Sequence, residues 1–317
     1  MKTTPVMPIA LRNILLCAGV ALLLWLPFQQ AIYPVLLMKW MCFALFAAAF
    51  NLLLGFTGLL SFGHAALFGV AAYGAGYVVS RFGATPELAI LAGTAAGAVT
   101  GCVMGALAIR RAGIYFAMIT LALAQMVYFL AVQMPQSGGE EGLRMPRGKL
   151  FGVVDLQSDT AMYYVVLCVF VLGLLVLYRV IQSPFGEAMK SVRDNEPRAI
   201  SLGLDAARVK LLAFVLSAAI AGLAGATKAI VFQLASWSDV HWHTSGEVVV
   251  MTVLGGIGTF AGPLLGAAVV IGLQNYLANI GSWSAIAIGS VFMLCVLCFR
   301  RGIVGELRAA WRRWTRP

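Results

Sequence analysis

The stretch 51–64, NLLLGFTGLLSFGH, sets Asn51, Thr57, Ser61 and His64 among Gly55, Gly58 and Gly63 inside an otherwise apolar run. A hydroxyl three residues before a histidine could form a nucleophile–base pair. Ser61 and His64 have no supporting acid, however, and no H-E-x-x-H occurs, so a membrane hydrolase is set aside. The chemistry that remains is noncovalent. Polar side chains and glycine-freed backbone at membrane depth are costly in hydrocarbon, and they mark a solute path where a helix is interrupted. Thr120 and Gln125, in the run 113–134, are further candidates for lining that path. His64 has an equally good alternative, a hydrogen bond to a neighbouring helix.

Other groups yield less. The only Gly-Lys pair, Gly148-Lys149, is followed by Leu150, so the chain has no P-loop of its own. GGIGTFAG, 255–262, contains a loose G-x-G-x-x-A, but it follows no strand, and no nucleotide or other cofactor is expected. Cys295 and Cys298 match C-x-x-C, yet all six cysteines (Cys17, Cys42, Cys102, Cys168, Cys295, Cys298) lie in apolar runs and read as small packed hydrophobes. His241 and His243 flank Trp242, and two histidines at that spacing lack the further ligands a metal needs, so no metal site is expected.

The elements that must position these residues are membrane helices. The chain is 61% apolar and 11% charged, against about 25% charged residues in soluble domains. Apolar segments run near 10–28, 34–54, 59–80, 87–109, 113–134, 161–181 and 210–232, each close to the roughly 20 residues a bilayer demands. The block 247–280 is broken by Gly255, Gly256, Gly258, Gly262 and Pro263, which predicts a broken or re-entrant helix before a last run, 283–299. The expected architecture is therefore all-α, one polytopic bundle over 1–317 with about 8–10 transmembrane helices. Small residues recur along three faces: Gly93, Gly97, Gly101 and Gly105; Ala65, Gly69, Ala72 and Gly76; Ala221, Gly225 and Ala229. Such stripes let helices approach closely in lipid.

The net charge of +10 does not indicate nucleic acid. Arg300, Arg301, Arg308, Arg312, Arg313 and Arg316 cluster in the C-terminal tail, and Arg110–Arg111 share a short loop. Clusters flanking spans orient a membrane protein and meet anionic lipid. With Lys2 and Arg12 in the cytoplasm and the first run retained as a span, both termini are cytoplasmic. Segments 135–160 and 233–246 are then external, and 182–210 is cytoplasmic. Lys228 lies about four residues inside the outer end of the run 210–232. It either snorkels to the interface or offers its ammonium to a substrate carboxylate.

Ten charged residues between Arg179 and Lys210 forbid a span there. Asn195 suits an N-cap, Glu196 and Pro197 a first turn, and Gly203 a terminator, so a short helix is predicted over about 195–202. Ala199 and Gly203 would form a shallow dent beside a Leu202 knob.

Five blocks in order, FNLLLGFTGLLSFGHAALFGVAAYGAGYV (50–78), GIYFAMITLALAQ (113–125), SGGEEGL (137–143), FGEAMKSVRDNEPRAISLGLDAARVKLLAFVLSAAIAGLAGA (185–226) and VLGGIGTFAGPLLGA (253–267), resemble the permeases of branched-chain amino acid ABC importers, most of all their LivM subclass. The resemblance covers about 40–300. It implies a bacterial inner-membrane subunit of an ATP-driven importer, with no catalysis of its own and forming half of a translocation path. Its implied partners are two ABC ATPase subunits, a second permease subunit and a periplasmic substrate-binding protein. The pattern of an acid, an alanine and a glycine in the family's coupling loop matches Glu196, Ala199 and Gly203. Arg193, Asn195, Arg198 and Leu202 flank it, the two arginines able to pair with acids of an ATPase. Lys228 stands where that pattern leads one to expect an aromatic or apolar residue. The alternative is an ion-coupled secondary carrier of small amino-acid-like solutes. Proton coupling is disfavoured because no Asp or Glu lies in mid-span, Glu87 and Glu247 being at span ends.

Overall fold

The computed structural model describes residues 23–24, 33–134, 138–150, 152, 154–277, 286, 289–290, 292–293 and 302–306. Nearly all of the expected first span, 10–28, and of the last run, 283–299, lies outside them. Among the described residues six helices are long and apolar enough to cross a bilayer. They are α1 (Pro34–Asn51, continued by a π-helical turn Leu52–Thr57), α2 (His64–Phe82), α3 (Pro86–Ala108), α4 (Ile114–Gln133), α5 (Asp159–Gln182) and α8 (Ala206–Phe232). Between α5 and α8 lie α6 (Pro184–Asp194) and α7 (Glu196–Ser201). After α8 come α9 (Trp237–Val240), α10 (Trp242–Gly255) and α11 (Gly262–Leu277).

The helix starts follow local chemistry. Pro34 and Pro86 occupy first positions, where a missing N–H costs nothing. Ser158 and Asp205 cap α5 and α8 by accepting from Ala161 and Arg208 N–H groups at 3.3 and 3.1 Å. The charged interval 182–210 indeed forms no span. It folds into two helices set end to end, Ser183 capping the first and Asn195 the second.

The long α8 runs through the middle of the bundle, packed on α1, α2 and α3. The glycine stripe of α3 faces it: Gly93 lies against Ala226, Gly97 against Gly222 and Gly101 against Ala218. A β-carbon on Gly97 would sit 3.0 Å from the Gly222 Cα, so the two backbones touch. At the α2 crossing, a β-carbon on Gly225 would lie 2.8 Å from the Phe68 carbonyl carbon. In lipid this contact replaces the apolar driving force that water supplies to soluble cores. The outward faces of α3, α4 and α5 stay apolar and uncovered, with Leu91, Val99, Met118, Phe129, Leu172 and Leu175 all exposed.

One end of the bundle carries α6 and α7. At the other end the two loops on that side are stitched together. Strand β1 (Leu143–Arg144) pairs antiparallel with β4 (Leu234–Ala235), while β2 (Lys149–Leu150) and β3 (Val154–Asp155) form a small hairpin. Arg147 locks this layer to the end of α8. Its Nε and Nη2 donate to the Val231 carbonyl at 3.2 and 3.0 Å, and its Nη1 donates to Asp159 at 2.7 Å.

The block 247–280 is broken, as its glycines imply. The 14 residues of α10 reach only about 21 Å, short of a hydrocarbon core of roughly 30 Å. The chain then turns at 256–261 and returns as α11, packed along α10 and α1. Gly255 makes this hairpin possible, because a β-carbon there would strike the Gly262 carbonyl.

Candidate functional site

Two interruptions of the helical run meet. The first is the end of α1. Its last turn widens to π geometry, the Thr57 hydroxyl donating to the Leu52 carbonyl at 3.3 Å and Leu59 N–H to Leu53 at 3.1 Å. Gly58 then stops the helix at φ +78°. Single π turns of this kind are frequent at functional sites. The second is the loop 256–261 between α10 and α11, with Gly256 at φ +120° and Gly258 at φ +72°.

Asn51 clasps them together. Its side-chain oxygen accepts from Gly258 N–H at 3.0 Å, and its amide donates to the Thr259 carbonyl at 2.9 Å. Both groups would otherwise be unsatisfied backbone in the interior, which lipid does not tolerate. Gly55 gives the loop room, since a β-carbon there would lie 2.5 Å from Gly258 N. Asn51, Gly55, Gly58, Gly255, Gly256 and Gly258 thus form one assembly.

Arg193 reaches this assembly from α6. Its Nη1 donates to the Gly55 carbonyl at 2.6 Å, while Nε and Nη2 hold Asp194 at 2.9 and 2.8 Å. Its Cγ packs 2.9 Å from where a Gly58 β-carbon would be. A carbonyl freed by the π turn therefore accepts from a guanidinium on the surface helix. Arg193 thus links α6 to the interrupted end of α1, which Asn51 in turn ties to the α10–α11 turn.

A second group of the expected path residues lies beyond Gly58. Phe62 N–H donates to Thr120 Oγ1 at 3.2 Å, Gly63 N–H to Ser61 Oγ at 3.2 Å, and Ala65 N–H to Ser245 Oγ at 2.9 Å. Ser61 and Thr120 are fully buried. A β-carbon on Gly63 would lie 2.9 Å from the Thr120 carbonyl, so α4 presses directly on the break. His64 is also fully buried, between Phe50 and Phe214. Its Nε2 lies 2.9 Å from Ser217 Oγ, and Ser217 donates its single hydroxyl proton to the Ala49 carbonyl at 2.6 Å. The proton between ring and serine therefore belongs to Nε2, and Nδ1 has no partner among the described residues. His64 ties α2 to α8 and α1. Gln125 is only partly covered and takes part in neither group.

In the loop helix, Asn195 caps as its sequence position implies, accepting from Arg198 N–H at 3.0 Å, and Gly203 terminates at φ +88°. Glu196 and Arg198 differ. Glu196 is turned back to Lys210 of α8, an ion pair with N···O 2.5 Å, whereas Arg198 projects outward. The exposed face is not the one expected. Ala199 is 2% exposed and packs inward, while Ile200 and Leu202 are 55% and 75% exposed. The Glu196–Lys210 pair rolls α7 so that its small residue seats on the bundle. A groove lined by Ile109, Ile200, Leu204 and Lys210 runs beside it.

Lys228 does not snorkel. Its Nζ donates to both oxygens of Asp239, at 2.8 and 2.7 Å, with the side chains 13% and 7% exposed. Asp239 in turn caps α9 together with Ser236. No periodicity in sequence could bring a loop acid to a lysine within a span. Arg193's role is also only partly legible in its sequence position: its spacing marks it as facing a partner, but its contact with Gly55 crosses 138 positions. Among the described residues no group of three or more His, Cys, Asp or Glu could hold a metal ion.

The high-affinity branched-chain amino acid transport system permease proteins LivM of Salmonella typhimurium and Escherichia coli are each 26% identical to the chain, over 84% of it and 69% of their own length. No solved structure matches. The family described as branched-chain amino acid transport system / permease component matches residues 34–299, which take in α1 to α11 and both interruptions. The chain belongs to that permease family.

Proposed function

We propose that this chain is a membrane subunit of an ATP-driven importer of branched-chain or related hydrophobic amino acids, making no covalent chemistry itself. The observation that carries the reading is Arg193, which joins the charged helix pair α6–α7 to the meeting point of two interrupted membrane segments. A transport subunit driven from outside itself needs such a connection, and the chain has no nucleotide-binding loop.

In this reading the α6–α7 end is cytoplasmic. Exposed Ile200 and Leu202, with Arg198 beside them, seat in a cleft on one of two ATPase subunits. The β1–β4 layer is periplasmic and receives the substrate-binding protein. The apolar outer faces of α3, α4 and α5 meet lipid and a second permease subunit. ATP-driven closure of the ATPases moves α6; Arg193 pulls on the π turn, Asn51 carries the movement to the 256–261 turn, and access alternates.

The test is uptake of labelled leucine by cells with and without the chain, with ATP depleted by arsenate and, separately, ion gradients collapsed by ionophores. Chain-dependent uptake that arsenate abolishes and ionophores spare is the expected result. Uptake that survives arsenate and needs the gradients overturns the proposal in favour of an ion-coupled carrier.

A further inference from the structure

The 256–261 turn is also covered by a piece of chain far in sequence from Asn51 and Arg193. Residues 302–306 form a short helical segment that begins at Gly302, with φ +71°. Gly302 is buried against Gly256. A β-carbon on it would strike the Gly256 Cα and would lie 2.6 Å from Gly256 N and 3.1 Å from the Gly255 carbonyl carbon. Gly256 is itself buried, at φ +120°. Two backbones therefore touch where neither residue could carry a side chain without strain. Behind Gly302, Val304 is buried and Ile303 packs on the apolar core, so two side chains seat the segment on the bundle.

The turn is thus held from three directions. Asn51 of α1 bonds Gly258 N–H and the Thr259 carbonyl. The Phe260 ring packs on Tyr178 of α5, with centroids 5.7 Å apart. Gly302 closes over Gly256, and this third contact differs in kind. It is made by backbone atoms with no interlocked side chains, and dispersion between a few such atoms is small beside the hydrogen bonds of Asn51. It can part without a rotamer change or a broken hydrogen bond. Yet Gly256 is linked to Asn51 through Thr259. The Gly256 carbonyl accepts from Thr259 N–H at 3.3 Å and from Thr259 Oγ1 at 2.8 Å, and the Thr259 carbonyl accepts from Asn51 at 2.9 Å. The sequence around the segment, 300–316, holds six arginines and one acid, Glu306. Such charge belongs in water, which fits the end of the bundle where α6 reaches the turn through Arg193.

We infer that residues 302–306 are a brace for the interrupted site. Gly302 positions the 256–261 turn for its contacts with Asn51, and hydrolysis is coupled to transport while the brace is seated. The inference rests on the transport reading above and deepens it, adding a second connection to the turn that is independent of Arg193.

The experiment uses the complete transporter in liposomes with its binding protein and reads two quantities. One is hydrogen exchange of the peptide that holds the Gly258 and Thr259 amides; the other is labelled leucine moved per ATP hydrolysed. Gly302→Ala is expected to speed the exchange at least tenfold and to lower leucine per ATP at least fivefold, with hydrolysis and melting temperature close to wild type. A chain ending at Arg301 is expected to match that variant. One ending at Glu306, which keeps the brace without the arginines beyond it, is expected to match wild type. Gly246→Ala, with open space around its β-carbon, controls for the change from glycine to alanine itself. Exchange needs no transport, so a wild-type assembly that moves no leucine with ATP refutes the transport reading while the brace is still tested. Wild-type exchange in Gly302→Ala overturns the inference. So does faster exchange with an unchanged leucine-to-ATP ratio, which makes the segment packing alone. Joint loss of melting temperature, hydrolysis and transport overturns it too, as does a chain ending at Glu306 that is as impaired as one ending at Arg301.

Discussion

Replacing Arg193 by Gln tests the connection between α6 and the interrupted helices most directly. The substitution removes the guanidinium that donates to the Gly55 carbonyl at 2.6 Å and holds Asp194. A hydrogen bond from a charged group contributes roughly 1.5–3 kcal/mol. The Arg193 side chain is 36% exposed, so solvent screening reduces this to about 1–2 kcal/mol. At 1.4 kcal/mol per tenfold, the coupling between α6 and the π turn falls roughly 5- to 30-fold. In liposomes carrying the assembled transporter, ATP hydrolysis should persist while leucine moved per ATP hydrolysed drops by that factor. Arg193→Lys should fall between wild type and Gln, because an ammonium keeps the charge but lacks the fork that reaches Gly55 and Asp194 at once. A ratio of transport to hydrolysis within twofold of wild type in Arg193→Gln would refute the reasoning. Loss of both activities together would show that Arg193 merely holds the fold.

Other substitutions probe separate parts of the structure. Asn51→Leu strands Gly258 N–H and the Thr259 carbonyl, each at a cost of about 1–3 kcal/mol, and should lower the melting temperature in detergent along with uptake. Gly225→Ala drives a β-carbon into the Phe68 backbone and should destabilise the α2–α8 contact by about 1–3 kcal/mol, whereas Gly246→Ala, with open space around it, should melt like wild type. Lys228→Met leaves Asp239 buried and unpaired, for a loss of about 3–5 kcal/mol. Adding Asp239→Asn should recover much of it, which thermal unfolding of the four proteins of the cycle measures.

What the chain says of itself is largely one-dimensional. Run length, the positions of Pro34 and Pro86, the caps Ser158 and Asp205, and the terminator Gly203 are read from neighbours a few residues apart, and hydrogen bonding within a helix closes over four residues. The spans 34–57 to 206–232 and the break after Gly255 are therefore legible in the order of the residues alone. So is the glycine stripe of α3, though not that α8 is the helix it receives. The strand pairing β1–β4 is invisible there, because two-residue strands carry no periodicity and the two are separated in the chain by all of α5 to α8. The inward roll of Ala199 depends on Glu196 meeting Lys210, and the fate of Lys228 on a loop acid folding back beneath it. Polarity alone marks Asn51, Thr120 and His64 as residues that must be satisfied inside a membrane. Which carbonyl, amide or hydroxyl satisfies each is decided by how the helices cross, since a hydrogen bond depends on a distance that sequence spacing does not contain.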